Sequence, residues 1–600
     1  MNNDETLRAR VVDVLRASTV FGSLDDSVIA DLANDLKIQT ARGGETVLHE
    51  GDPSNSMMFV ISGGLRVSRR DSAGKLLLFN EVRPGDSFGE AGLILQQPRS
   101  ADVVAVRDST LAVLHKDAYE ALLVKHPLAL NRVFVQAIYN YLRHNNLSKK
   151  RHAESIVVVP LHSDADVLEV SKGLEQAFAK MGTAHRYTLA DNARFTQTSS
   201  DQDAEALRRQ ESLEADVGFL VYEAGLDAGA WTQRAFRQAD QIVFVGTAGS
   251  SPDITALESQ LMKEPGYAMK RRHLVVLHAS GSVYPVERGH WLKGRDVERY
   301  YPTRRGNAGD YDRLARFITG SAVGIVLGGG GARGFAHLGV LKALHESGVP
   351  IDLIGGNSMG ALIGAQYACD IPLDEIRERT QKFAAGGEFP TLPLISLVSG
   401  NRVRRDLIRM FGELQVDGLW RPYFSAACNL TKGCTTVQDT GPLWRAVLAS
   451  NSPAGLFPPV LVNGELLVDG AILENVPVAA MRMRLGTAQE RRRGNGTIIA
   501  IDVDVQDELR APADLHKLSV WKTVKNTVVP NANKTPTIAQ IMYRAGHIGG
   551  LNQRGQTIAQ ADIYLEPPVS SYSMMAYRNA AEIAEVGYRH TMERISKWKR

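Results

Sequence analysis

Two short runs in this 600-residue chain hold residue types suited to acyl chemistry. One is Gly356-Asn357-Ser358-Met359-Gly360, at the end of an apolar stretch and the start of a helix-like one. A Gly-x-Ser-x-Gly spacing can expose a serine hydroxyl on a sharp strand-to-helix turn. The other lies about thirty residues upstream, Gly328-Gly329-Gly330-Gly331-Ala332-Arg333-Gly334. Glycines leave backbone N–H groups bare, and such groups can stabilise a developing oxyanion. Each run supplies what the other lacks, and together they point to attack on an acyl carbon.

A serine hydroxyl needs a base to take its proton, most often a histidine backed by a carboxylate. His337 follows the glycine-rich run on what reads as a helix, where a lone histidine is usually structural. Asp469, in Leu467-Val468-Asp469-Gly470-Ala471, is the better candidate. It ends an apolar run and precedes glycine, a position from which a carboxylate can face a cleft. It can take the serine proton directly if desolvation lifts its pKa above the ~3.9 of a free aspartate. Taken alone, the same residues also spell an ordinary Asp-Gly turn.

The glycine run has a rival meaning. Gly329-x-Gly331-x-x-Gly334 after a strand and before a helix can cradle a dinucleotide pyrophosphate. That requires an acidic residue closing the next strand, to hold a ribose. Here Asp352 opens that stretch and the serine run closes it, which favours the hydrolase over a nucleotide-dependent oxidoreductase.

The elements that must position these residues fall into three regions. Residues 15–145 alternate short apolar runs (MMFVISG, LRVSRR, LLLFNEV, TLAVLHK) with turn residues, an all-β pattern flanked by helix-like segments. Residues 153–320 alternate buried-strand runs (IVVVP, VGFLVY, IVFVG, HLVVLH) with helical spacing, a pattern of βαβ units around a parallel sheet. No catalytic or nucleotide signature marks this middle region. Residues 321–600 begin with VGIVL and carry both chemical runs, followed by strands at YFSAACN and TIIAIDV. The basic runs 149–152 and 491–493 read as a linker and a solvated loop.

Net charge is only +3, which gives no broad electrostatic case for nucleic acid. Three cysteines, Cys369, Cys428 and Cys434, have no metal-ligand spacing and fit a reducing compartment. The polar N-terminal run and the lack of any long apolar stretch predict a cytoplasmic chain. Peripheral contact at the inner membrane face is a further expectation, from the apolar run 389–395 and the basic tail Lys597-Trp598-Lys599-Arg600.

The ordered set GGGGARG, GNSMG and DGA resembles the patatin-like phospholipase family. The resemblance implies a Ser358–Asp469 dyad. It also implies an oxyanion hole from the backbone of Gly329, Gly330 and Gly331, with Arg333 supporting the loop. Asn357 and Ala471 stand where the family more often has Thr and Gly, and neither change removes a catalytic atom. The segment Ser452–Pro459 and the later Asn475-x-Pro477 resemble the part that positions the family's aspartate. Trp231-Thr232, Arg237-x-x-Asp240, Trp291-Leu292-x-x-Arg295 and DRLARFITG resemble the region ahead of that domain in neuropathy target esterase and its bacterial relatives. Those proteins are lysophospholipases with cyclic-nucleotide-binding-like domains on the N-terminal side.

A cyclic nucleotide offers a ribose hydroxyl to a glutamate and a phosphate to an arginine. Phe88-Gly89-Glu90-Ala91, a short apolar turn and Pro98-Arg99-Ser100-Ala101 supply that order and spacing. The stretch resembles the phosphate-binding cassette of cyclic-AMP-dependent kinase regulatory subunits and the catabolite activator family. Carried over, Glu90 holds the ribose and Arg99 the phosphate, with Gly89, Ala91 and Ser100 around them. The alternative is a β-roll that kept its fold and lost its ligand, with Arg99 a plain surface residue. Neither cAMP nor cGMP is favoured.

The expectation is therefore a multidomain chain: an N-terminal β-roll, a middle α/β domain and a C-terminal patatin-like α/β hydrolase domain with a parallel-rich sheet. Its expected function is hydrolysis of carboxylic esters of lysophospholipids or related lipids without a catalytic cofactor or metal, under cyclic-nucleotide control. The alternative is a non-catalytic cyclic-nucleotide sensor that acts through a protein partner.

Overall fold

A computed structural model describes residues 11–16, 18, 21–22, 24–70, 76–89, 98–127, 129, 154–193, 217–286, 288–485, 496–504 and 538–598. The described chain forms two compact units that part between Ala315 and Arg316. The basic runs 149–152 and 491–493 lie outside the described residues.

The first unit holds two sheets. In the antiparallel one, Asp102–His115 pairs with both Lys37–Ala41 and Ser56–Arg70, and Leu76–Val82 extends the sheet. Its strands alternate in the two-residue period of a pleated sheet. Met57, Phe59 and Ile61 pack against Phe21 and the helix Asp26–Asp35, while Met58 and Val60 face the inside of the roll with Leu111 and Val113. MMFVISG and LRVSRR, expected as separate strands, are one 15-residue strand. Gly63 at φ +94° and shifts of register around Gly64 absorb the break as bulges rather than a turn.

The second sheet of this unit is parallel throughout. Its order is Arg299–Arg304, Arg271–His278, Gln241–Thr247, Glu154–Pro160, Phe219–Glu223, Ala184–Tyr187. Helices such as Val167–Ala179 cover it, so its central strands are apolar on both faces. The residues singled out in the sequence have structural tasks here. Trp231 Nε1 donates to the Glu223 carbonyl at 2.6 Å. Arg295, wholly buried, grips Glu258 through two bonds of 2.8 and 3.0 Å and also donates to the Trp291 carbonyl. Asp240 accepts from Ser155 Oγ at 2.9 Å and lies 3.2 Å from Arg107 of the roll. Buried Lys270 donates to the carbonyl of Val106 at 2.6 Å and to that of Ala239, so one side-chain nitrogen joins the roll to the parallel sheet.

The second unit is a mixed sheet with a parallel centre. Its order is Val460–Val462, Glu465–Asp469, Tyr423–Asn429, Leu353–Gly356, Val323–Leu327, Thr497–Ile501, Ile563–Leu565, with Cys434–Gln438 also beside Tyr423–Asn429. Asp352 precedes its strand and takes a bidentate pair from Arg316, with N–O distances of 2.7 to 3.1 Å. It also accepts from the Val323 amide, so its task is to start the sheet. Among the described residues no helix is long and apolar enough to cross a membrane, and no group of His, Cys, Asp and Glu is arranged to hold a metal ion.

Candidate active site

The serine run forms because a buried strand, Leu353–Gly356, feeds directly into the small-residue helix Met359–Ala368. Ser358 is the residue between them, at φ 49° and ψ −125°. A non-glycine residue at positive φ carries strain that only its surroundings can hold in place. Those surroundings are specific. The Ser358 N–H donates to both the carbonyl and the Oγ of Ser450 at 3.1 Å, and Asn451 Nδ2 donates to the Ser358 carbonyl at 2.8 Å. Both partners end the helix Leu443–Ser450.

Asp469 reaches the same region from another part of the sheet. On the intervening strand, Gly356 stands opposite Ser425 and Asp469 opposite Ala427. Two runs more than a hundred residues apart thus end within two residues of each other along one strand, about 7 Å. Asp469 is buried; its amide donates to the Ser452 carbonyl at 2.8 Å, and its Oδ1 accepts from the Ala471 amide at 3.0 Å. Ser450, Asn451 and Ser452 therefore hold the serine and the aspartate from one stretch of chain.

The glycine run lies against both. A Cβ added to Gly329 would stand 3.0 Å from Ser358 Cβ and 3.7 Å from Ala471 Cβ. Gly331, at φ +55°, presses so closely on the Met574 carbonyl that a Cβ there would lie 2.6 Å away. The loop is pinned from the same side by Ala332, whose amide donates to the Met574 carbonyl at 2.8 Å, and by Arg333 Nε, which donates to the Tyr572 carbonyl at 2.8 Å.

One expectation changes. The Gly329 N–H, expected to face an oxyanion, is donated to Asn475 Oδ1 at 3.0 Å. Among the described residues the amides of Gly330 and Gly331 have no protein acceptor. Asn475, expected only as part of the segment that positions the aspartate, thus also holds the glycine loop, and Asn357, which the sequence offered only as a replacement for a commoner Thr, has a task as well. Asn357 Nδ2 donates to the carbonyls of Glu474 and Asn475, tying the residue before the serine to the loop after the aspartate.

His337 is fully buried, with Nε2 2.8 Å from the Gly328 carbonyl. Burial lowers its pKa to about 4, so near neutrality the ring is uncharged and donates to the glycine loop. The helix Ile538–Gln560 gives a second unforeseen support. Its Gly549 and Gly550 come so close to the turn after Asp469 that a Cβ on either would lie 2.7 Å from the carbonyl of Ile472 or Ala471.

In the first unit, Arg99 is buried rather than on the surface. Its guanidinium donates to the Gly89 carbonyl at 3.1 Å and the Ser56 carbonyl at 2.7 Å. Gly89, at φ +82°, makes room for it, and Ser100 is exposed. Glu90 and Ala91 lie outside the described residues.

Comparison with known proteins finds three matches along the chain. A cyclic nucleotide-binding domain profile matches residues 38–126, a Neuropathy Target Esterase family P-loop like domain residues 152–301, and Patatin-like phospholipase residues 325–482. The chain is 28% identical to human patatin-like phospholipase domain-containing protein 6, over 99% of this chain and 47% of that protein. It is 27% identical to lysophospholipase nte1 of Emericella nidulans, over 93% of this chain and 41% of that protein. The chain thus spans about half the length of the curated relatives it matches. Over 24% of its length the chain is also similar to the regulatory domain of Toxoplasma gondii PKA crystallised with cAMP, at 25% identity over 54% of that chain and a TM-score of 0.21.

Proposed function

Starting from a chain that carries a cyclic nucleotide-binding domain, a neuropathy target esterase P-loop-like domain and a patatin-like phospholipase domain, we propose a serine esterase acting on lysophospholipids or related lipid esters. The observation that carries this reading is Ser358 held at φ 49° against the glycine loop, beside the turn that Asp469 begins.

In this mechanism Ser358 Oγ attacks the ester carbonyl carbon while Asp469 takes its proton. The tetrahedral oxyanion is met by the amides of Gly330 and Gly331, a contribution typically worth about 3 kcal/mol per well-placed donor. Collapse breaks the bond to the alcohol oxygen, which leaves with the proton from Asp469. Water then attacks the acyl-serine, Asp469 takes its proton, and the fatty acid departs as Ser358 recovers its hydrogen.

The cyclic-nucleotide part of the proposal places the phosphate at Arg99 and the ribose at Glu90. The inward, backbone-braced setting of the Arg99 guanidinium supports a built site over a vestigial surface residue. Ligand there shifts the balance of active and inactive states only by its differential affinity for them.

The test is release of fatty acid from lysophosphatidylcholine by wild type, Ser358→Ala and Arg99→Ala, each with and without cAMP and cGMP. The proposal expects no release by Ser358→Ala, and an Arg99→Ala protein with basal activity but no nucleotide response. Equal release by wild type and Ser358→Ala would sink the esterase reading. Identical kinetics with and without saturating nucleotide would sink the regulatory one.

A further inference from the structure

We propose that residues 388–399 form an apolar finger that inserts into the surface of an anionic phospholipid bilayer and seats the cleft of Ser358 and Asp469 on its lipid substrate, an inference that rests on the esterase reading.

The finger is a short, stitched loop. The Ser399 amide donates to the Phe389 carbonyl at 3.0 Å, Thr391 donates to Leu397 at 3.1 Å, and Pro390 bridges to Val398. At its base Glu388 Oε1 accepts from the Val403 amide at 2.7 Å, fastening the finger to the first turn of the helix Asn401–Phe411. Pro390 and Pro393 each fix φ and remove a donor, which keeps the loop from joining a sheet.

What the finger presents is unusual for a surface loop. Phe389 is 71% exposed, Leu392 73%, Leu394 82% and Ile395 73%. Single exposed apolar residues are ordinary, whereas a cluster this dense marks an interaction site. Its span is far too short to cross a bilayer, but it suits insertion at the headgroup level.

Charge beside it selects the occupant. The helix that follows carries four arginines and one aspartate, a net charge of 4 − 1 = +3. Val403, Leu407 and Phe411 face inward, which leaves Arg405 and Arg409 one turn apart on the exposed side. An apolar loop followed at its base by a helix with exposed arginines matches acyl chains beneath anionic headgroups.

Position relative to the site gives the finger its purpose. The Leu397 and Val398 amides donate to the carbonyls of Gly455 and Leu456 at 3.0 Å. Gly455 is three residues from Ser452, which bonds Asp469, and three residues span at most about 11 Å. A lipid lifted by the finger therefore emerges beside the dyad.

The experiment uses the full chain, with Ser358→Ala as the binding probe so that hydrolysis does not alter the vesicles. Co-sedimentation is measured with vesicles of phosphatidylcholine and phosphatidylglycerol in equal parts, and with phosphatidylcholine alone. Leu394→Asp with Ile395→Asp should lower partitioning on the mixed vesicles about tenfold. Arg405→Gln with Arg409→Gln should lower it several-fold and flatten its salt dependence. On an otherwise wild-type chain, the double Asp change should leave hydrolysis of soluble p-nitrophenyl butyrate within about twofold and cut hydrolysis of vesicle-embedded lysophosphatidylcholine about tenfold. Equal partitioning of parent and double Asp protein overturns the proposal. So does a finger-dependent dimer in sedimentation velocity without vesicle binding, which would assign the finger to a second copy. Finger-dependent partitioning with no hydrolysis of any ester would keep the finger and reject the esterase.

Discussion

Asn475 holds Gly329 by both of its backbone polar groups: Oδ1 accepts from the Gly329 amide at 3.0 Å, and Nδ2 donates to the Gly329 carbonyl at 3.2 Å. The grip is itself supported. Asn475 Nδ2 also lies 3.3 Å from Asp502 Oδ1, and Asp502 in turn accepts from Arg554 at 3.1 Å and Tyr564 at 2.5 Å. A glycine loop has little conformational preference of its own. This one is held in place by a side chain on the far side of the aspartate turn.

Asn475→Ala removes both bonds and should cost about 10- to 100-fold in kcat on the lipid ester, with a smaller change in KM, because it acts through the loop and not on bound substrate. Asn475→Asp keeps the acceptor and loses the donor, and should fall between. Steady-state kinetics on the three proteins checks the order. Fluorophosphonate labelling of Ser358 should slow in parallel while going to completion.

The strain at Ser358 predicts opposed effects on stability and activity. Glycine reaches φ 49°, ψ −125° without the Cβ penalty, so Ser358→Gly should abolish hydrolysis and raise stability by about 1 kcal/mol. Urea titration of Ser358→Gly against Ser358→Ala isolates the backbone effect, since both lack the hydroxyl. A glycine variant no more stable than the alanine one would show that the turn is unstrained.

His337 sets a pH dependence of folding. Its pKa in the fold, about 4, lies below the 6.5 of an exposed histidine because burial penalises the charged ring. Between these values the unfolded chain binds more protons than the folded one, so stability falls with falling pH. The contribution is fully present above about pH 6.5 and is lost progressively towards pH 4, up to about 3 kcal/mol in all. Thermal melts of wild type and His337→Gln across pH 4 to 7 check the sign. The wild-type slope should be the steeper, and the Gln variant should flatten it.

Lys270 gives a test confined to the first unit. Lys270→Met leaves the carbonyls of Val106 and Ala239 buried without their donor. At roughly 1–3 kcal/mol for each of the two unsatisfied carbonyls, the first unit should lose about 2–6 kcal/mol. Limited proteolysis should then cut that unit sooner while fluorophosphonate labelling of Ser358 is unchanged.

The spelling of the chain was enough to mark most strands, because Val323–Leu327 is apolar or glycine throughout and Arg271–His278 carries the apolar run LVVL at its centre, as a sheet covered on both faces demands. It also marked Ser358, Asp469 and the glycine loop, because their chemistry depends on residue type and local order. Strand Ser56–Arg70 escaped because its glycines spell a turn, and only cross-strand pairing shows that they are bulges. The sequence could not reveal that Gly329 spends its amide on Asn475, that Ser450 to Ser452 hold both the serine and the aspartate, or that Gly549 and Gly550 bring a helix onto the aspartate turn. These are pairings between segments tens to hundreds of residues apart, and composition and spacing record only neighbours along the chain. Local order determined which groups can do the chemistry; the tertiary structure decided which of them stand together, because sheet order and loop packing set those distances.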